Sequence, residues 1–163
     1  MISEKFISPT KGPLSFQEIG LEISNFIKES PENNYRIIIG TDSSGSNGTV
    51  DFVTAIVVLR CGQGGRYFWQ KNQNKNIKTL RQKVYQETLL SIEIAQKLLE
   101  VLKEINLMPS FLKTNIEIHI DIGEKGPTRE MIKEIAGMVK GFGLEPKIKP
   151  ASFAASSVAD RYV

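Results

Sequence analysis

Apolar and polar positions along the chain divide it into short segments of two periods. Ser15-Phe16-Gln17-Glu18 forms a capping-box pattern, and Ile19, Ile23, Phe26 and Ile27 follow at helical spacing until Pro31, which predicts a first helix. Tyr35 to Thr41 is an apolar run expected of a strand buried on both faces. Gly45 to Gly48 supplies turn chemistry, and Val50 to Arg60 is a long β-rich run, so the two form a hairpin. Gly62, Gly64 and Gly65 mark a further turn, which makes Arg66 to Gln70 a third antiparallel strand. Lys71 to Lys78 is polar and basic, lacks an apolar period, and reads as a loop.

Thr79-Leu80-Arg81-Gln82 is a second capping-box pattern, opening a long helix expected to reach about Ile105. After Pro109, alternation from Asn115 to Ile122 predicts a fourth strand. Thr128 is placed to cap a helix that stops near Gly141 and Gly143, and Glu145 to Lys149 is a short fifth strand. Pro150 leads into an alanine- and serine-rich tail, Ala151 to Val163, expected to hold one last short helix. The order is a helix, then βββαβαβα. A meander followed by alternating helices and strands implies an α/β fold: a mixed five-stranded sheet with helices on both faces. The strands ending in Asp42 and Asp121 are expected to be parallel neighbours.

At 163 residues the chain fits one domain, residues 1–163, with 1–34 as an N-terminal helical extension. Its single cysteine, Cys61, excludes an intramolecular disulfide. With no signal-peptide pattern, the expectation is a cytoplasmic protein, and no apolar run is long enough for a membrane span. The net charge of +3 and a pI of about 8.9 permit a polyanionic partner without demanding one.

The chemistry lies in four carboxylates. Asp42 and Asp121 each close an apolar strand, and so stand at a sheet rim, where α/β folds bind ligands. On an ideal helix Leu80, Val84, Glu87, Ser91, Ile94, Ala95, Leu98 and Leu102 share one stripe, so Glu87 should face the sheet, while Glu93, Glu100 and Glu104 face solvent. An unpaired carboxylate on a buried stripe is costly, so Glu87 is expected to reach a cation or a cleft edge; a buried pair with Lys or Arg is the structural alternative. Asp160 lies among Ala154, Ala155, Ser156, Ser157 and Ala159, small side chains that permit close approach to a rim. The alternative there is a solvated terminus.

Two carboxylates about 4 Å apart repel by roughly 4 kcal/mol at a surface-like dielectric, and a divalent cation removes that penalty. Hard oxygen ligands favour Mg²⁺ or Mn²⁺, and no His/Cys cluster with zinc spacing competes. Two such ions about 3.5 to 4 Å apart suit the in-line hydrolysis of a phosphodiester, which is nuclease chemistry.

The element order and the positions of the acids resemble the ribonuclease H superfamily. Within it, Gly40-Thr41-Asp42-Ser43, Gly64-Gly65-Arg66-Tyr67-Phe68, His119-Ile120-Asp121-Ile122-Gly123 and Ala154-Ala155-Ser156-Ser157-Val158-Ala159-Asp160 resemble the bacterial ribonuclease H-like YkuK family, from about Phe6 to Asp160. The resemblance implies a nuclease with Asp42, Glu87, Asp121 and Asp160 as catalytic and metal-binding residues. Its expected partner is nucleic acid: RNA, an RNA–DNA hybrid or structured, branched DNA.

Around these acids, Ser43 is a candidate for hydrogen bonding near a metal or substrate, although serine after a strand is also plain turn chemistry. Lys125 and Arg129 precede and open a helix, where an anion such as a backbone phosphate would be accommodated. Lys71, Lys75 and Lys78, with Arg81 and Lys83, are candidate phosphate contacts, against a solvated loop as the plain reading. His119, the single histidine, is expected to be a packed or hydrogen-bonded strand residue rather than a proton shuttle. Two other functions compete. One is a nucleic-acid-binding protein that keeps the fold without turnover; the other is a phosphate-transferring ATPase, suggested by the Gly40-Thr41-Asp42-Ser43 turn but unsupported by any Walker-type sequence.

Overall fold

In the computed structural model the described residues are 4–46, 48–105, 116–152 and 154–163. The elements are β1 (Lys5–Ser8), β2 (Gly12–Ser15), α1 (Phe16–Glu29), β3 (Tyr35–Ser46), β4 (Gly48–Arg60), β5 (Gly65–Ile77), α2 (Leu80–Glu104), β6 (Glu117–His119), a 3₁₀ turn (Arg129–Met131), α3 (Ile132–Gly141), β7 (Glu145–Lys147) and α4 (Ala154–Ala159). The seven strands form one mixed sheet in the order β2-β1-β5-β4-β3-β6-β7. β3, β4 and β5 make the expected antiparallel meander, and β6 lies parallel to β3, as does β7 to β6.

The two additional strands come from the N-terminal segment, which is not helical throughout. β1 and β2 form a hairpin, and Ile7 pairs with Trp69 to extend the sheet beyond β5. Both capping boxes form as the sequence predicts: Ser15 with Glu18 starts α1, and Thr79 with Gln82 starts α2. Thr128 does not cap a helix by its side chain; a 3₁₀ turn intervenes, and the hydroxyl instead accepts from the Gly123 amide at 3.5 Å.

The strands of the meander are longer than expected. β3 runs through Asp42 to Ser46, and the segment expected to loop from Lys71 is strand as far as Ile77. Ladder pairing of Lys71, Asn72, Gln73 and Asn74 with Val53, Phe52, Asp51 and Val50 holds that polar stretch extended. Backbone hydrogen bonds need no apolar side chain, so hydrophobic period alone misses such a strand. β6, in contrast, is shorter than the alternation suggested, and Asn115, its expected start, lies outside the described residues.

One face of the sheet carries α2, with α1 and α3 beside it, over Ile37, Ile39, Ile56, Val58, Phe68 and Ile118. The opposite face carries α4, where Ile38, Val53, Ala55, Val57 and Ala159 pack together. The α2 stripe is buried as expected except at its first position, where Leu80 is 45% exposed. Among the described residues no helix is long and apolar enough to cross a membrane.

A chain of hydroxyls fixes how α2 sits on the meander. Thr41 Oγ1 lies 2.7 Å from Ser91 Oγ and 2.8 Å from Thr54 Oγ1, and all three residues are buried. A buried hydroxyl left without its partner costs about 1–3 kcal/mol. Thr41→Val, which keeps shape but removes the hub, is therefore expected to lower the urea unfolding free energy by about 1–3 kcal/mol. Unchanged stability would show that the hydroxyl chain contributes nothing to the seating of α2.

Candidate functional site

The parallel register between β3 and β6 brings the first two acids together. Ile38, Ile39 and Gly40 pair with Glu117, Ile118 and His119, so two residues further along both chains Asp42 and Asp121 stand side by side. Alternation puts them on the same side of the sheet. Asp42 is not the end of its strand, as the sequence suggested. It lies within β3, at the level where β6 stops pairing and the sheet opens into a rim.

Glu87 reaches this rim from α2. Ser91, one turn further along the helix, is tied to Thr41, and this anchor sets Glu87 over Ser43. The Ser43 hydroxyl donates to Glu87 Oε1 in a short hydrogen bond, while the Ser43 amide donates to Asp42 Oδ1 at 2.9 Å. Ser43 thus links two acids instead of standing free towards a substrate.

Asp160 follows the last residue of α4 rather than lying within the helix. The terminus is fastened to the sheet beyond it: Tyr162 stacks on Trp69 at 4.1 Å, and its hydroxyl meets that of Tyr67 at 2.7 Å. This anchor places Asp160 close enough to Asp42 for its charge to raise that carboxyl.

The electrostatics record the crowding. Burial raises the Asp42 carboxyl, its bond from the Ser43 amide offsets part of this, and the charges of Asp121 and Asp160 raise it further. Glu87, only 9% exposed, is pushed up to about 7, chiefly by burial; Ser43 and Lys83 oppose the shift, whereas Asp42 and Asp121 add to it. Asp42 thus has Asp121 and Asp160 as charged neighbours, and Glu87 has Asp42 and Asp121.

They do not form a closed shell. Among the described residues no three His, Cys, Asp or Glu side chains are arranged as a ready-made metal cage. The Asp121 carboxylate is instead paired with the Lys149 ammonium at 2.9 Å. Lys149 was not singled out from the sequence. Its signal lay in the short fifth strand: parallel to β6, that strand must deliver its end to the same rim as Asp121. Hydrogen bonds from the Ile120 amide to the Lys147 carbonyl (2.9 Å) and from the Lys149 amide to the Ile122 carbonyl (2.8 Å) make that delivery. Gly123 allows the approach, because a Cβ there would lie 3.1 Å from that of Lys149.

Of the other candidates, Lys125 and Arg129 line cavities beside the rim, and Lys83 acts on Glu87. Lys75 and Lys78 are exposed at the far end of β5. Lys71 shares a cross-strand row with Asp42 through Val53, so Lys75 lies four residues, or roughly 13 Å, further along. The structure does not bring that pair to the acids. His119 is a packed strand residue: its Nε2 lies 3.2 Å from Glu117, which also accepts two hydrogen bonds from Arg36.

This fold, with acids from β3, α2, the β6 exit and the chain terminus at one rim, defines a ribonuclease H-like protein. The chain belongs to that family: the model described as "Ribonuclease H-like" matches residues 18–163. It is similar to the uncharacterized protein YkuK of Bacillus subtilis (strain 168), with 32% identity over 165 residues covering 96% of this chain and 95% of the relative. No solved structure gives a significant match.

The Glu87 shift has a definite consequence for stability. Because its folded pKa of about 7 lies above its ordinary value of 4.5, the native state binds the proton more tightly. That contribution is complete below about pH 4.5 and is lost as pH rises through about 7. Glu87→Gln should therefore stabilise the protein at pH 8 by on the order of 3 kcal/mol and flatten its stability profile between these values. Chemical denaturation at several pH values in EDTA measures both; a variant less stable than wild type at pH 8 would contradict the raised pKa.

Proposed function

We propose that the chain is a metal-dependent nuclease hydrolysing phosphodiester bonds of RNA, an RNA–DNA hybrid or structured, branched DNA. The observation that carries this reading is the convergence of Asp42, Glu87, Asp121 and Asp160 from four separate parts of the chain despite their mutual repulsion. Folding does not gather acids at one rim for stability, since each neighbour raises the cost of ionising the next.

The donor set fits Mg²⁺ or Mn²⁺, because every candidate ligand is a hard carboxylate oxygen. Asp42, Asp121, Glu87 and Asp160 would hold the metal, two ions during catalysis, which when bound supply charge stabilisation for the attacking water and the leaving oxygen. The protein's own groups do the rest. Ser43 orients Glu87 and Asp42 together, the docked terminus presents Asp160, and Lys149 forms an ion pair with Asp121 that an incoming cation would have to displace.

A silent nucleic-acid-binding role is the second reading. It is favoured by the Lys149–Asp121 pair, which occupies one of the four carboxylates, and by the lack of a closed cage among the described residues.

The test is cleavage of labelled single-stranded RNA, RNA–DNA hybrid and branched DNA with Mg²⁺ or Mn²⁺. Expected are metal-dependent cleavage, none in EDTA, and a fall of roughly 100-fold or more for Asp42→Asn and for Asp121→Asn. Cleavage retained by both variants would remove the site, and binding without cleavage of any substrate would favour the silent role.

A further inference from the structure

Beyond the acids, the chain leaving β6 and the chain leaving β7 run side by side and border an open cavity of about 730 Å³. That volume lies within the roughly 300–1,000 Å³ typical of pockets that enclose a small organic group. Its lining is divided by chemistry. Among the described residues, Pro146, Pro150 and Ala151 offer carbon surface, with Ile148 half-buried against the core beneath, while Lys125, Lys147 and Lys149 supply three cations against the one acid Glu124. Lys149 is also the residue on Asp121, so the cavity opens directly beside the acidic rim.

A second cavity of about 520 Å³ continues the path. It shares Glu124 and Lys125 with the first and is bounded by Arg129 and Ile132. From Asp121 the surface therefore passes Lys149, Lys147, Lys125 and Arg129 in one groove. Lys147 has only a loose ion pair with Glu145, at 3.9 Å, and both Lys125 and Arg129 are exposed.

We propose that this groove holds one single strand of nucleic acid as it leaves the acidic rim. A base rests on the carbon surface of Pro146, Pro150 and Ala151, and the backbone phosphates meet Lys147, Lys125 and Arg129. The combination identifies the occupant. Cations alone would suit any anion, and an apolar floor alone would suit any small hydrophobe. A flat ring with a phosphate on either side needs both, in alternation, and a strand needs the second cavity as well as the first. The inference rests on the nuclease reading for the direction of the strand, but binding in the groove is measured without turnover.

The experiment is fluorescence anisotropy of a labelled 12-nucleotide single-stranded RNA, and of the DNA of the same sequence, with the full chain in EDTA across a salt series. Each phosphate contact of a single strand contributes about 0.7 to the slope of log affinity against log salt. The double variant Lys125→Ala/Lys147→Ala should lower that slope by about 1.4 and weaken binding at low salt. Ala151→Leu, which fills the carbon-lined part without offering a stacking ring, should weaken binding several-fold with the slope unchanged, because the base loses its place while every phosphate contact remains. Lys28→Ala/Lys140→Ala, exposed elsewhere, is the control and should bind as wild type.

Wild-type affinity and slope in both groove variants, an equal loss in the control, or no binding of either strand at low salt would overturn the proposal. Competition by a nucleoside monophosphate as effective as the unlabelled strand would overturn it too, giving the groove to free nucleotides. Failure of the nuclease reading appears separately, as absent metal-dependent cleavage with groove binding intact.

Discussion

The parallel register of β3 against β6 is the constraint on which the site depends. A slip of one residue would turn Asp121 to the opposite face of the sheet and separate it from Asp42. Arg36, Glu117 and His119 oppose such a slip. Arg36 donates two hydrogen bonds of 2.6 Å to Glu117 across the strand boundary, and His119 stands on the same carboxylate. Burial pushes Glu117 up, but its bonds from Arg36 and His119 outweigh this and hold it below the ordinary carboxylate range. Burial holds His119 low against the pull of that carboxylate. A bidentate ion pair is geometrically demanding, so it specifies the pairing of the strands whatever its net contribution to stability.

Above this lock the molecule works against its own electrostatics. The hydroxyl chain through Thr41, Thr54 and Ser91 seats α2 so that Glu87 arrives at the rim, and burial then disfavours its charge. Ser43 and Lys83 offset part of the penalty for Glu87, and Lys149 neutralises Asp121. These compensations come from separate parts of the chain, two of them acting on Glu87 and one on Asp121. A more distant cation could not substitute, because screening and the falling Coulomb energy confine strong effects to close neighbours.

The legible parts of the sequence were those whose signal is local. Two capping boxes, the glycine turns and the alternating apolar residues yielded both helix starts, the meander and the parallel partner of β3, and the polar interruption of the α2 stripe identified Glu87. The N-terminal hairpin was missed because four-residue strands carry too little period to stand out from a loop. The polar half of β5 was missed because its strand state is imposed by the β4 backbone and not by its own side chains. Lys149 belongs to a third kind. Nothing within its neighbours marks it, and its meaning appears only once the fifth strand is laid parallel to the fourth, where its amide reaches the Ile122 carbonyl.

Asp160 shows how much of the site is deferred to tertiary contact. α4 has six residues, far fewer than the 12–15 or so at which an isolated helix becomes even marginal in water, so local propensity cannot hold it. What holds it is contact at and just beyond its C-terminal end: Ala159 against Ile38, Val53, Ala55 and Val57, and Tyr162 against Trp69 and Tyr67. Those partners lie on β3, β4 and β5, so the meander must be assembled before the terminus has a surface to dock on. The place of the fourth acid therefore depends on the assembled meander and not on its own helix. The docked terminus adds a second negative neighbour to Asp42 beside Asp121, and the packing of Ala159 and Tyr162 on the meander is what offsets that cost.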